Sequence, residues 1–158
     1  MRATSVEGIC DFRINRLLGN AVCRAPFQLS IYSLHLHSVS KSVALPLRST
    51  CMAIASDGSE VSLGFEDGTV RFFSCQDLSL SAEARLSTGP VSAILLRACG
   101  GLVCATWSDG LVFADRKTRS FSVACESASS PLKFLLESKD GKSIFAASRH
   151  ELVLFEPQ

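Results

Sequence analysis

The chain has 158 residues, 47% of them hydrophobic and 20% charged, a composition that fits a globular domain and excludes a disordered chain. Sixteen basic against fifteen acidic residues leave a formal net charge of +1, so no basic nucleic-acid footprint shows across the whole chain. A single domain over 1–158 is the expectation from this length.

Alternation of apolar and polar residues dominates from the start. Ile9-Cys10-Asp11-Phe12-Arg13-Ile14 opens a first unit, followed by strand candidates at Asn20–Arg24, Gln28–Leu34 and Lys41–Leu47. Cys51–Ala55 opens a second, with Val61–Phe65, Thr69–Ser74 and Leu80–Leu86. Val91–Leu96 opens a third, with Leu102–Trp107, Leu111–Asp115 and Arg119–Cys125. Pro131–Leu136 opens a fourth, with Ser143–Ser148 and Leu152–Phe155. Period-two alternation predicts strands with one buried face. The segment Leu78–Leu86 admits a short helix, but its apolar residues at 78, 80, 82, 84 and 86 alternate better. Asp-Gly pairs at 57–58, 67–68, 109–110 and 140–141 sit between these runs, a strong hairpin signal because both residues tolerate left-handed backbone.

The units recur. Their starts at 51, 91 and 131 are 40 residues apart, and Ile9 stands 42 residues before Cys51. Four short antiparallel strands every ~40–45 residues are the signature of a β-propeller blade. A single blade cannot bury both of its faces, whereas stacked neighbours can. The expected fold is therefore all-β: four blade-like repeats at about 9–47, 51–86, 91–125 and 131–156, the last lacking its fourth strand. That is an incomplete or small propeller. Arg2–Val6 is a candidate to supply the missing strand and close a ring. An open arc would instead leave apolar blade faces for self-association or for completion by further blades.

Gly64-Phe65-Glu66-Asp67-Gly68-Thr69-Val70-Arg71-Phe72-Phe73 and Thr106-Trp107-Ser108-Asp109-Gly110-Leu111-Val112-Phe113-Ala114-Asp115 resemble the second-strand, turn, third-strand passage of the WD-repeat family. The resemblance covers roughly residues 9 to 156. Where the family ends its third strand in Trp-Asp, this chain has Tyr32-Ser33, Phe73-Ser74, Ala114-Asp115 and Phe155-Glu156. Where the family has Gly-His before the first strand, this chain has Thr88-Gly89-Pro90 and Ser129-Ser130-Pro131.

The resemblance implies a non-catalytic scaffold that presents loops to a protein or peptide partner. The alternative is a structural arc that completes a larger propeller and has no binding activity of its own. By position, the family's partner-facing residues correspond to Ala25, Glu66, Ser108 and Arg149 at the second turns. Arg48, Thr88 and Ser130 correspond in the loops before first strands. Core packing is the plainer expectation for Trp107, and an exposed partner anchor is the alternative, since Trp and Arg are the natural hot spots.

Other chemistries find little footing. Gly141-Lys142-Ser143 lacks the upstream glycine of a phosphate-binding loop, because position 136 is leucine, and a strand follows where the motif needs a helix. His35-x-His37 has no acid or cysteine at ligand spacing, and Cys99-x4-Cys104 lacks two further ligands. No Gly-x-Ser-x-Gly elbow occurs. Arg13, Arg16 and Arg24 are the densest basic stretch and read as a solvated edge. No catalytic residue, metal or cofactor is expected.

The longest apolar runs, Ala93–Leu96 and Phe134–Leu136, stop at Arg97 and Glu137, far short of the ~20 residues that span a bilayer. No apolar stretch follows Arg2, so no signal peptide is expected. Seven cysteines with no Cys-x-x-Cys pair then suggest reduced, buried thiols and a cytoplasmic or nuclear setting.

Overall fold

A computed structural model describes residues 8–97, 99–108, 110–115, 121–125 (backbone only) and 131–156. These residues form fifteen strands in four antiparallel sheets, arranged in chain order. The first sheet holds β1 (Asp11–Asn15), β2 (Asn20–Ala25), β3 (Gln28–Ser33) and β4 (Ser38–Ala44). The second holds β5 (Ser49–Ile54), β6 (Glu60–Phe65), β7 (Thr69–Ser74) and β8 (Leu80–Arg85). The third holds β9 (Val91–Leu96), β10 (Gly101–Thr106), β11 (Gly110–Asp115) and β12 (Phe121–Cys125). The fourth holds β13 (Phe134–Glu137), β14 (Ile144–Ala147) and β15 (Leu152–Phe155). Each sheet is a simple meander. Arg2–Val6 and Ser130 lie outside the described residues. No described helix is long and apolar enough to cross a membrane.

At Asp57, Asp67 and Asp140 the turns form where the sequence announces them, with the carboxylates as fasteners, whereas Asp109 lies outside the described residues. Asp57 accepts from the Ser59 N–H and hydroxyl, at 3.0 and 2.7 Å. Asp67 accepts the same pair from Thr69, at 3.0 and 2.6 Å. Asp77, which has no glycine after it, does so from Ser79. A carboxylate that bonds the backbone two residues on mimics a turn and fixes it.

Several strand bounds differ by one or two residues from the alternation pattern, and two strands differ by three. The fourth strand of the first unit is Ser38–Ala44, not Lys41–Leu47. A bulge at Ile31/Tyr32 shifts its register, and Pro46, with no N–H to offer, ends the pairing. β13 starts at Phe134 because Leu132 is buried beneath the third sheet instead, and Pro131 cannot donate. In the Leu78–Leu86 segment, Leu80 faces solvent. Leu78 sits in a left-handed turn (φ 56°) and is buried.

Three apolar layers join the four sheets in sequence. Val22, Leu29 and Ile31 of the first meet Met52, Val61, Leu63 and Phe73 of the second. Val70, Phe72 and Leu86 of the second meet Ile94, Leu96, Leu102 and Val112 of the third. Val103, Ala105 and Leu111 of the third meet Leu132, Ile144 and Ala146 of the fourth. The middle two sheets are thus covered on both faces. At ~25 cal/mol per Å2 of apolar surface, these layers are the main source of stability.

The layers are so close that side chains are rationed. A β-carbon on Gly64 would lie 2.6 Å from the Cys51 Sγ and 2.7 Å from Val91.

Polar ties repeat at the same spacing. Thr50 donates to the Val91 carbonyl, 41 residues on, and Ser92 donates to the Leu132 carbonyl, 40 on. The Asn15 amide reaches the carbonyl of Gly58 at 2.7 Å. Arg97 reaches that of Gly141 at 2.7 Å and pairs with Glu137 at 2.7 Å. In both cases the end of one sheet's first strand grips the first Asp-Gly turn of the next sheet.

Candidate functional site

The first strands of the sheets lie side by side, and their entry loops meet around a cavity of about 600 Å3. That size suits a ligand side chain or a short peptide segment. Three basic side chains line it: Arg24, Arg48 and Lys133. Glu66 is the one acid among the lining residues. Trp107 and Phe134 also line it and are 62% and 70% exposed. Pro26 and Pro90 stiffen its rim.

Arg24 is the most firmly placed of these charges. Arg24 is the last residue but one of β2, at the place where the second and third sheets carry Gly64 and Ala105, and its side chain points toward the neighbouring sheet. There NH1 donates to the Ser49 carbonyl at 2.9 Å. The residue is only 7% exposed, and its Nε is buried without a hydrogen-bond partner among the described residues. Ser49 itself is pinned, its hydroxyl donating to the carbonyls of Ala25 and Pro26. Arg48 and Glu66 are exposed and joined by backbone, the Glu66 N–H donating to the Arg48 carbonyl at 3.2 Å. The described ion pairs, Arg13–Asp11, Arg71–Glu83 and Arg97–Glu137, use none of these four charges.

Trp107 leaves the sheet as the first residue after β10. Its N–H donates to the Pro90 carbonyl at 3.0 Å, which turns the indole out of the core. The expectation of core packing for Trp107 therefore gives way to exposure at the cavity rim.

Of the residues singled out in the sequence, the cavity gathers Arg48, Glu66 and Trp107. Thr88, Ser108 and Arg149 are exposed, and Ala25 is half-buried, but none lines it. The Ser108 hydroxyl is 2.9 Å from that of Ser87. Arg24, Lys133 and Phe134 were not anticipated. The available signal was an arginine standing where the other repeats have Gly, Ala and Ala at 64, 105 and 147.

The other motifs take plain structural forms. Gly141-Lys142-Ser143 is a hairpin turn in which the Lys142 N–H donates to Asp140. His35 and His37 sit exposed in the β3–β4 turn. Cys99 is exposed and Cys104 buried, both as free thiols. Arg13 pairs with Asp11. No group of three His, Cys, Asp or Glu side chains suited to a metal ion occurs among the described residues.

Burial pushes the Cys51 and Cys75 thiols up to about 11, and it raises Cys104 and Cys23 as well. These are inert packing groups rather than nucleophiles.

A second cavity, of about 410 Å3, lies between β8 of the second sheet and β10 and β11 of the third. Its charged residues, Glu60, Glu83 and Asp115, are all acidic.

No protein-family model matches this chain, and no curated protein matches it.

Proposed function

We propose that this chain is a non-catalytic interaction scaffold. Its four sheets act as blades of a WD-repeat-like propeller, and the cavity at their converging first strands takes an acidic segment of a protein or peptide partner. The single observation that carries the reading is the union of Arg24, Arg48 and Lys133 with exposed Trp107 and Phe134 in one concave site. Arginine and tryptophan are the side chains most often found at binding hot spots. Arg24, Arg48 and Lys133 bring positive charge to the cavity lining, and hydrogen bonds from charged groups are about twice as strong as neutral ones. A rigid sheet scaffold with binding loops is the common division of labour.

Support for blades rather than unrelated hairpins comes from the 40-residue recurrence of both sequence and inter-sheet ties. The reading carries a reducing compartment, cytoplasm or nucleus, because three of the described thiols, Cys51, Cys75 and Cys104, are packed in apolar layers or against them.

The test is an array of immobilised peptides probed with the intact chain and with Arg48→Glu and Trp107→Ala. Acidic peptides should be retained, and each variant should lose at least tenfold in affinity with its melting temperature unchanged. Equal retention of basic and acidic peptides would defeat the reading.

A further inference from the structure

The turns of the first sheet are apolar where hairpin turns are ordinarily polar. Arg16-Leu17-Leu18-Gly19 joins β1 to β2, and Leu34-His35-Leu36-His37 joins β3 to β4. Asn15 pairs with Asn20, Asn20 with Ser33, and Ser33 with Ser38, so both turns stand at one end of the sheet. The Leu34 N–H donates to the Gly19 carbonyl at 3.2 Å and ties the two turns together. Leu17 and Leu36 are 74% and 67% exposed, and Leu18 and Leu34 are 43% and 41% exposed. Ile14, also exposed, borders the same depression as Leu17. Single exposed leucines are ordinary, but four on two tied turns make a patch. The opposite end of these strands, at Arg24 and Pro26, belongs to the basic cavity.

Charge around the patch has one sign. Between Asp11 and Asp57 the sequence holds Arg13, Arg16, Arg24, Lys41 and Arg48 and no acid. Arg13 pairs with Asp11, Arg24 and Arg48 line the cavity, and Lys41 lies within electrostatic reach of Asp77. Arg16, His35 and His37 therefore stand at the tips themselves. An imidazole carries at least one N–H donor whether neutral or charged. The turns of the second sheet bring Asp57 and Asp77, whose carboxylates accept from Ser59 and Ser79 in their own turns.

The turn backbone is also prepared for an apolar medium, where an unbonded amide is costly. The Leu34 N–H is taken by Gly19, as above. The Leu18 N–H donates to the Asn15 side-chain oxygen at 3.3 Å, and the Leu36 N–H to the Ser33 hydroxyl at 3.1 Å. Three of the four leucines can thus leave water without stranding their own N–H groups.

We propose that this end of the first sheet rests on an anionic lipid bilayer. Leu17, Leu18, Leu34 and Leu36 enter the acyl boundary, while Arg16, His35 and His37 stay among the headgroup phosphates. Interfacial binding grows with buried apolar area and with attraction to anionic lipid, and the cytoplasmic leaflet is such a surface. A bilayer is favoured over a protein because the two turns hold leucines and basic groups with no aromatic anchor of the hot-spot kind. The contact is peripheral and lies at the other end of the sheet from the proposed peptide cavity, so either can fail without the other.

The test is flotation of the 158-residue chain with vesicles of about three parts phosphatidylcholine to one phosphatidylserine, against vesicles of phosphatidylcholine alone. Wild type should float with the anionic vesicles and only weakly with the neutral ones. Leu17→Ser combined with Leu36→Ser should weaken binding by roughly tenfold or more with an unchanged melting temperature, and Arg16→Glu should weaken it severalfold. Should the double variant lose its far-UV β signal, Leu17→Ala and Leu36→Ala singly test the same surface, each weakening flotation. Trp107 lines the distant cavity, so its emission should not move when vesicles bind. A wild-type chain that stays unbound overturns the proposal and returns the leucines to a protein partner. Flotation that is indifferent to the leucine variants overturns it too, as does a blue shift of Trp107 on vesicles, which would put the cavity end on the lipid.

Discussion

Gly68 offers a quantitative check on how the β6–β7 turn packs on the linker between the second and third sheets. It stands in the β6–β7 turn with φ +82°, and a β-carbon there would lie 2.6 Å from the Ser87 carbonyl carbon and 2.9 Å from the Gly89 carbonyl oxygen. Two costs follow for Gly68→Ala. Left-handed backbone costs a non-glycine residue roughly 1–2 kcal/mol, and overpacking against rigid atoms adds about 1–3 kcal/mol. The obstructing atoms belong to backbone, so they cannot swing aside as a side-chain tip would. Moving them also disturbs the bond from the Leu86 N–H to the Gly68 carbonyl, at 3.0 Å. The sum is about 2–5 kcal/mol, or roughly 4–20 °C in melting temperature at ~2–4 °C per kcal/mol for a chain of this size. Gly19→Ala is the control: its φ is +61°, with nothing within 4 Å of the added carbon. It should show the backbone cost alone, about 1–2 kcal/mol. Paired thermal melts by circular dichroism measure both. If Gly68→Ala costs no more than Gly19→Ala, the contact with the Ser87 loop is wrong, and the path of the linker that leaves β8 for the third sheet is wrong with it.

Three further predictions concern other parts of the molecule. Arg97→Ala should cost about 1.5–3 kcal/mol, the range for hydrogen bonds to charged groups, by releasing Glu137 and the Gly141 carbonyl of the fourth sheet. Urea titration should show this as a lower midpoint. Thiol labelling under native conditions should modify Cys10 and Cys99 quickly and leave Cys23, Cys51, Cys75 and Cys104 protected until unfolding, read by peptide mass mapping. Fast labelling of Cys104, which is wholly buried, would contradict the second apolar layer.

The third concerns acid. Hydrogen bonds from the Ser79 hydroxyl and backbone, and from Ser74, hold the Asp77 carboxyl at about 2. At Asp67, burial works the other way but is outweighed by the bonds from Thr69, and the carboxyl is again lowered. A folded-state value below the unfolded one gives stability that is present above the unfolded pKa of about 4 and lost as pH falls toward 2. Melting temperature should therefore drop between pH 4 and 2, and Asp77→Asn should flatten that drop. An unchanged acid limb in the variant would remove Asp77 from the account.

Much of the architecture was readable because short strands with one buried face leave a plain period in the residues. Val61, Leu63 and Phe65 alternate along β6, and all three are fully buried. Asp57, Asp67 and Asp140 mark turns by a local mechanism that needs no tertiary information. What escaped depends on neighbours. Leu78 belongs to an apparent alternation, yet it folds into a left-handed turn to fill the first apolar layer. Trp107 follows a run of buried residues, yet its backbone bond to Pro90 carries it outward. Arg24 resembles a solvated edge residue when read with Arg13 and Arg16. Its burial follows from Ser49, 25 residues away in sequence, whose carbonyl receives it. The candidate site was therefore half-visible. Its exposed loop residues Arg48 and Glu66 could be placed by repeat position, whereas Arg24, Lys133 and Phe134 required the sheets to be assembled.

The most direct test of the account uses Trp107, the only tryptophan in the chain, as its own reporter. A tryptophan-free, glutamate-rich decapeptide would be titrated into the wild-type chain and into Arg48→Glu while indole emission is followed. The account predicts a saturable blue shift or quench with wild type, weakened by added salt, and at least a tenfold weaker response with Arg48→Glu. An emission spectrum that does not move with wild type at millimolar peptide, or one that moves equally with both proteins, would contradict an acidic ligand in this cavity.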